Sequence, residues 1–172
     1  MLPIHRDFSE IFDPGMAPQT KRIELMLETV LDSVDLAESI VMRICDAAGF
    51  SEEDCHKIGM SVREGVINAY NYGNQQDRRK KIFFTVEFEP DKIVVHIIDQ
   101  GKGFEVADVP DPLAAENLLR TSGRGIFLMR AFMDEFAVQH GPEGGAELVM
   151  AKRLPLSGRQ NGGDPAARDK ES

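Results

Sequence analysis

Ile82-Phe83-Phe84-Thr85-Val86-Glu87-Phe88, Glu89-Pro90-Asp91-Lys92, Ile93-Val94-Val95-His96-Ile97-Ile98 and Asp99-Gln100-Gly101-Lys102-Gly103 stand consecutively in the chain. The first and third runs are rich in β-branched and aromatic residues, the composition of strands. The four residues between them carry Pro at the second position, which suits a tight turn. The stretch therefore predicts two neighbouring strands, the second ending on a carboxylate. After Asp99 a Gly- and Pro-rich segment runs to Gly125, too long for a hairpin loop, and long irregular loops in small domains are usually functional.

Upstream, Lys21 to Thr29 alternates Ile23, Leu25 and Leu27 with polar residues, a strand pattern. Asp32 or Ser33 is placed to cap a helix carrying Leu36, Ile40 and Ile44, which Gly49 stops. Ser51, followed by Glu52, Glu53 and Asp54, opens a second helix with acids in its first turn. That helix is expected to reach about Tyr72, with Cys55, Ile58, Val62, Val66 and Ala69 as its buried stripe. Downstream, a helix is expected from about Gly125 to Asp134, with Ile126, Met129 and Met133 on one face. Two more strands follow, Phe136 to Gln139 and Glu147 to Lys152, around Gly141-Pro142-Glu143-Gly144-Gly145. Two or three helices with about five strands, most of them late, predict an α+β sandwich with helices on one face of a mixed sheet.

The chain has 172 residues, one domain of ordinary size, and its 42% apolar content is enough for a core. The expected organisation is an N-terminal arm over 1–19, a folded domain over 20–155 and a disordered polar tail over 156–172. With 29 acidic against 20 basic residues the net charge is −9, which excludes a general nucleic-acid-binding surface and suits a partner with a basic patch. An anionic nucleotide would then need local devices, a divalent cation or backbone amides. Cys45 and Cys55 are too few for a disulfide framework and read as buried thiols. No signal-peptide run opens the sequence, and no apolar stretch reaches the roughly 18 residues of a membrane span. The expected compartment is the cytoplasm.

Three constellations carry chemistry. Glu64 and Asn68 are four apart, one turn above each other on a helix face distinct from the buried stripe, and Asn71 and Tyr72 continue that face. A carboxylate beside a carboxamide can order a hydroxyl and a divalent cation, although a solvated polar face looks the same. Asp99, Gly101 and Gly103 pair a carboxylate, able to accept from an adenine amino group, with glycines that let backbone approach a flat ligand. Such residues also make ordinary turns. Ser122-Gly123-Arg124-Gly125-Ile126 enters a helix, where unpaired amides and a guanidinium suit phosphate oxygens. Neither glycine stretch matches a P-loop or a dinucleotide fingerprint.

In order and context, these pieces resemble the GHKL ATPases, the superfamily of gyrase, heat-shock protein 90, histidine kinases and mismatch-repair ATPases. Glu64-Gly65-Val66-Ile67-Asn68-Ala69 resembles the N box. Asp99-Gln100-Gly101-Lys102-Gly103-Phe104 looks like the first glycine box, and Gly123-Arg124-Gly125-Ile126-Phe127-Leu128-Met129 like the second. Within the superfamily, the run from Asp108-Val109-Pro110-Asp111-Pro112 through Glu116-Asn117-Leu118-Leu119 to Met133-Asp134-Glu135 is similar to the bacterial anti-sigma factor serine/threonine kinases. The likeness covers about residues 20 to 153.

The resemblance implies the Bergerat, or histidine-kinase-like ATPase, fold: a two-layer α/β sandwich with a mixed, mostly antiparallel sheet. It implies ATP and Mg²⁺ as ligands, Glu64 as general base, Asn68 as metal ligand and Asp99 as the adenine carboxylate. Gly101, Gly103 and Phe104 would pass under the base, and residues 104 to 122 would form a lid. Gly123, Arg124, Gly125 and Ile126 would meet the phosphates, Arg124 also serving catalysis. Asn71, Tyr72 and Gly73 would lie near the groove. Many relatives carry His where this chain has Tyr72, and Gly-Thr where it has Gly145-Ala146-Glu147. The implied function is a kinase that sequesters a sigma factor and phosphorylates a STAS-type anti-sigma factor antagonist, as a homodimer, with no direct nucleic-acid or membrane contact. The alternative is a non-catalytic, nucleotide-dependent switch that only sequesters its partner.

Overall fold

In a computed structural model, the structure describes residues 21–103, 121–142 and 144–155. The expected arm over 1–19, most of the expected lid, Phe104 and the tail over 156–172 lie outside the described residues. The elements are β1 (Lys21–Glu28), α1 (Asp32–Ala47), α2 (Glu52–Asn68) with a π-turn (Ala69–Gly73), β2 (Lys81–Phe88), β3 (Lys92–Ile98), α3 (Thr121–Phe132), β4 (Glu135–His140) and β5 (Ala146–Arg153). The strands form one sheet in the order β1-β2-β3-β5-β4. The expectation was a mixed, mostly antiparallel sheet; among the described residues every pairing is antiparallel.

The register explains why the strands alternate as they do. Leu25 faces Phe84, Phe84 faces Ile97, Ile97 faces Leu148 and Leu148 faces Val138, a continuous apolar row across all five strands. Ile23, Val86, Val95, Met150 and Phe136 make a second row two residues along. Both rows face the helices, so one sheet face is committed to the core. The helix α2 supplies the matching stripe, with Cys55, Ile58, Val62, Val66 and Ala69 all buried as their spacing predicts. Gly65 sets how low the helix rides. A Cβ there would stand 2.6 Å from Ile97 Cδ1 and 2.7 Å from Leu148 Cδ2, so the missing side chain lets α2 lie directly on the first row.

The caps of α2 and the end of α1 follow their sequence signals. Ser51 Oγ accepts from Asp54 N at 3.1 Å and donates to Asp54 Oδ2 at 2.8 Å, satisfying a first-turn amide. Gly49, at φ 78°, ends α1 in a Schellman motif: Gly49 N donates to Asp46 O at 3.1 Å and Phe50 N to Cys45 O at 3.1 Å. The start of α1 departs from expectation. Its N-cap is Leu31 with no side-chain cap, and Ser33 Oγ instead donates to Glu28 O at 2.7 Å, closing the turn out of β1.

The buried face of α1 is not the one its spacing of four marks out. Val34, Ala37, Val41 and Cys45 are buried, whereas Leu36 is 50% exposed and Ile40 and Ile44 lie only partly inside. Both sets repeat every three or four residues, so period alone does not choose between them. The smaller set wins because α1 packs closely on α2, and small side chains permit that approach.

Candidate nucleotide site

The site begins where β3 stops. Asp99 N donates to Ala146 O at 3.0 Å. Its side chain then folds back: Oδ1 accepts from Gly101 N at 2.8 Å and from Ala146 N at 3.2 Å. The residue is only 7% exposed. Burial pushes its pKa up, and the two amide donors and the charge of Lys80 oppose that rise. Oδ2 makes no hydrogen bond among the described residues, so one carboxylate oxygen is fixed by backbone and the other is left for a donor.

Three glycines enclose this carboxylate. A Cβ on Gly73 would collide with the Asp99 carboxyl group, one on Gly101 with Gly73 O, and one on Gly145 with Asp99 O. Gly73 reaches this place because α2 does not end as a regular helix. Asn74 N donates to Ala69 O at 2.7 Å, and the wide π-turn swings the chain towards the end of β3. The second helix was expected to run unbroken to about Tyr72; the π-turn from Ala69 corrects this. Asn71 and Tyr72 lie within this π-turn. Asn71 Oδ1 accepts from Gln76 Nε2 at 3.1 Å, and Tyr72 is 57% exposed.

The second glycine box is expected ahead of its helix, but α3 begins at Thr121 and contains Gly123, Arg124 and Gly125. Glycines read as helix breakers, yet here close packing accounts for one: a Cβ on Gly125 would lie 2.6 Å from Glu64 Oε2. The structure thus joins Glu64 to the Gly123–Ile126 segment across the α2–α3 contact. Ile126 packs partly against the core and Arg124 is exposed. Glu64 and Asn68 are half-buried and have no side-chain hydrogen bond or ion pair among the described residues. Gly103, at φ 74°, approaches the β4–β5 turn, where an added Cβ would stand 2.9 Å from Gly144 O.

No cluster of three or more His, Cys, Asp or Glu suited to a metal occurs among the described residues. A divalent cation here would need oxygen ligands from its own anionic partner as well as from Asn68. Glu147 points to the other sheet face. There it meets His96 Nδ1 at 2.8 Å and Gln139 Nε2 at 2.9 Å. Ala146 serves Asp99 through its backbone alone. Sequence reasoning left out Gly145, Ala146 and Gln100. A glycine opening β5 was the available signal for the first; backbone roles leave none for the other two.

Among the described residues, an antiparallel sheet under three helices, with a glycine-enclosed carboxylate at one strand end and a Glu–Asn pair without side-chain bonds on α2, defines an ATPase-like α+β domain. A family model described as a histidine kinase-like ATPase domain matches residues 27–152. The chain belongs to that family. It is 28% identical over 149 residues to the serine-protein kinase RsbW of Staphylococcus epidermidis, covering 83% of this chain and 92% of that one. It is 28% identical over 107 residues to the anti-sigma F factor of Bacillus subtilis, covering 61% and 73%. A crystal structure of the RsbU and RsbW domains of a Mycobacterium tuberculosis protein superposes with a TM-score of 0.57 at 18% identity; the match covers 78% of this chain and only 33% of that one. Among the described residues no helix is long and apolar enough to cross a membrane.

Proposed function

We propose that the protein is an anti-sigma factor kinase: it binds ATP with Mg²⁺, sequesters a sigma factor and phosphorylates an anti-sigma factor antagonist on Ser or Thr. The observation that carries this reading is the presence of both Asp99, with one oxygen open inside a glycine cradle, and Glu64, against Gly125, neither that oxygen nor the Glu64 carboxylate having a bonded partner among the described residues. The names of the relatives support the same class.

In this reading Asp99 Oδ2 accepts the adenine amino group, and Gly73, Gly101 and Gly145 leave room for the ring. Asn68 holds the metal through its side-chain oxygen. Bound ATP with Mg²⁺ supplies the transferable γ-phosphoryl group. Glu64 accepts the proton of the substrate hydroxyl, which makes that oxygen the nucleophile. Arg124, exposed at the start of α3, offers a guanidinium to phosphate oxygens. Phe104 and Gly103 border the base, Gly123 and Ile126 the phosphates, and Asn71 and Tyr72 the outer groove. The acidic chain meets its protein partners in the cytoplasm, as a homodimer, through basic surfaces on those partners.

The test is transfer of labelled γ-phosphate to a STAS-type antagonist from the same organism. Label on Ser or Thr that disappears with Glu64→Ala is the expected result. No label, or equal label with Glu64→Ala, contradicts kinase activity. If sigma binding then still responds to nucleotide, the chain is the non-catalytic switch.

A further inference from the structure

Asn74 is fully buried immediately behind the Asp99 turn. Its side chain uses three hydrogen bonds to three separate parts of the chain. Oδ1 accepts from Gln100 N at 2.8 Å, and Nδ2 donates to Thr29 Oγ1 at 2.8 Å and to Lys81 O at 2.9 Å. Thr29, itself buried, donates its hydroxyl to Lys80 O at 2.8 Å. Gln100 closes the ring, its Oε1 accepting from Lys81 N at 2.7 Å. The end of β1, the start of β2 and the turn after β3 are thus tied at one point, with no buried side-chain polar atom unsatisfied among the described residues.

The backbone beside Asn74 is under strain. Gln75 and Gln76 follow it at φ 53° and 60°, a left-handed conformation that residues with a Cβ seldom adopt in succession. Strained backbone persists where surrounding bonds over-determine it, and it concentrates at functional sites. Here the determining bonds are those of Gln76, whose N donates to Tyr70 O at 2.8 Å and whose Nε2 donates to Asn71 Oδ1, together with those of Asn74, whose own backbone closes the π-turn that delivers Gly73 to Asp99.

We propose that Asn74 is a positioning residue for base recognition: it holds the Asp99-Gln100-Gly101 turn through Gln100 N and so fixes the direction of the open Asp99 oxygen. This rests on Asp99 being the adenine carboxylate. A carboxylate distinguishes an exocyclic amine from a carbonyl only while its free oxygen stays in line, because misdirection removes the penalty on the wrong base. Asn74 therefore sets the preference for adenine over guanine without touching the nucleotide.

The experiment compares full-length Asn74→Ala with Val41→Ala, a cavity variant in the buried face of α1 that also lowers stability. Amide exchange at Gln100 without nucleotide, and the ratio of ATP to GTP affinity, are measured for both. Asn74→Ala is expected to speed exchange at Gln100 and to lower the ATP-to-GTP ratio by about tenfold, with tripolyphosphate binding unchanged. Val41→Ala is expected to lower Tm and leave exchange at Gln100 and the ratio as in the wild type. Identical exchange and ratios in the two variants would overturn the proposal. Asn74→Ser replaces Asn74→Ala if the latter does not fold, with the same two outcomes. A wild-type protein with no preference for adenine contradicts the reading of Asp99, while exchange at Gln100 still decides whether Asn74 holds the turn.

Discussion

The two ends of the site are built on opposite principles. Around Asp99 nearly every polar group is already used: two amides hold Oδ1, Asn74 holds the next amide, and three glycines stand at contact distance. Around Glu64 the side chains are idle, with neither Glu64 nor Asn68 bonded among the described residues. The first end is part of the fold, so its geometry is set before any ligand arrives. The second is finished only by what binds there. A buried donor or acceptor left alone costs about 1–3 kcal/mol, which half-buried groups reached by water largely avoid. Recognition can therefore be rigid while the reacting groups stay available.

Substitutions separate the two ends. The largest effect is expected at the idle end, where Glu64→Gln should lower phosphoryl transfer by about 10²- to 10⁴-fold. Its Tm and ATP affinity should barely move, because Glu64 has no side-chain bond to lose among the described residues; a Tm drop of many degrees would show that Glu64 belongs to the scaffold after all. At the built end the order of effects reverses. Gly73→Ala drives a methyl group into the Asp99 carboxyl and should cost about 1–3 kcal/mol of stability in denaturant unfolding, with loss of nucleotide binding. Unchanged stability would mean that the cradle is loose.

A smaller effect comes from pH. Burial is the largest influence on Asp99 and raises its folded-state pKa above that of an ordinary aspartate. Folding then favours its protonated form, so its contribution to stability is complete below the unfolded pKa and is lost as pH rises through the folded one. Recognition of an amine needs the carboxylate, so ATP affinity should move the other way and fall as pH drops through that same midpoint. Asp99→Asn should flatten both slopes, and pH titrations of Tm and of ATP affinity check this. An unaltered pair of slopes would assign them to another group.

The same contrast explains what the sequence made legible. The strands, the α2 stripe and the three motifs were readable because each is local: alternation in β2, period in α2, a carboxylate followed by spaced glycines. The places of Glu64 and Asn68 on α2 and of Asp99 and Gly101 at the end of β3 were legible for that reason. The buried face of α1 could not be chosen from sequence because two stripes share one period, and only packing against α2 selects Val34, Ala37 and Val41 over Leu36. The start of α3 was placed late because glycines read as helix breakers, whereas Gly125 sits inside the helix against Glu64. The Asn74 ring was invisible because its partners lie 45, 26 and 7 positions away in the chain.

Calorimetric titration of ATP with Mg²⁺ into the wild-type protein and into Asp99→Asn bears most directly on the ATP site. The wild type should bind ATP in preference to GTP, and Asp99→Asn should bind it at least about tenfold more weakly while still folding. Equal affinity in the two proteins, or no binding by the wild type, would contradict a nucleotide site centred on Asp99.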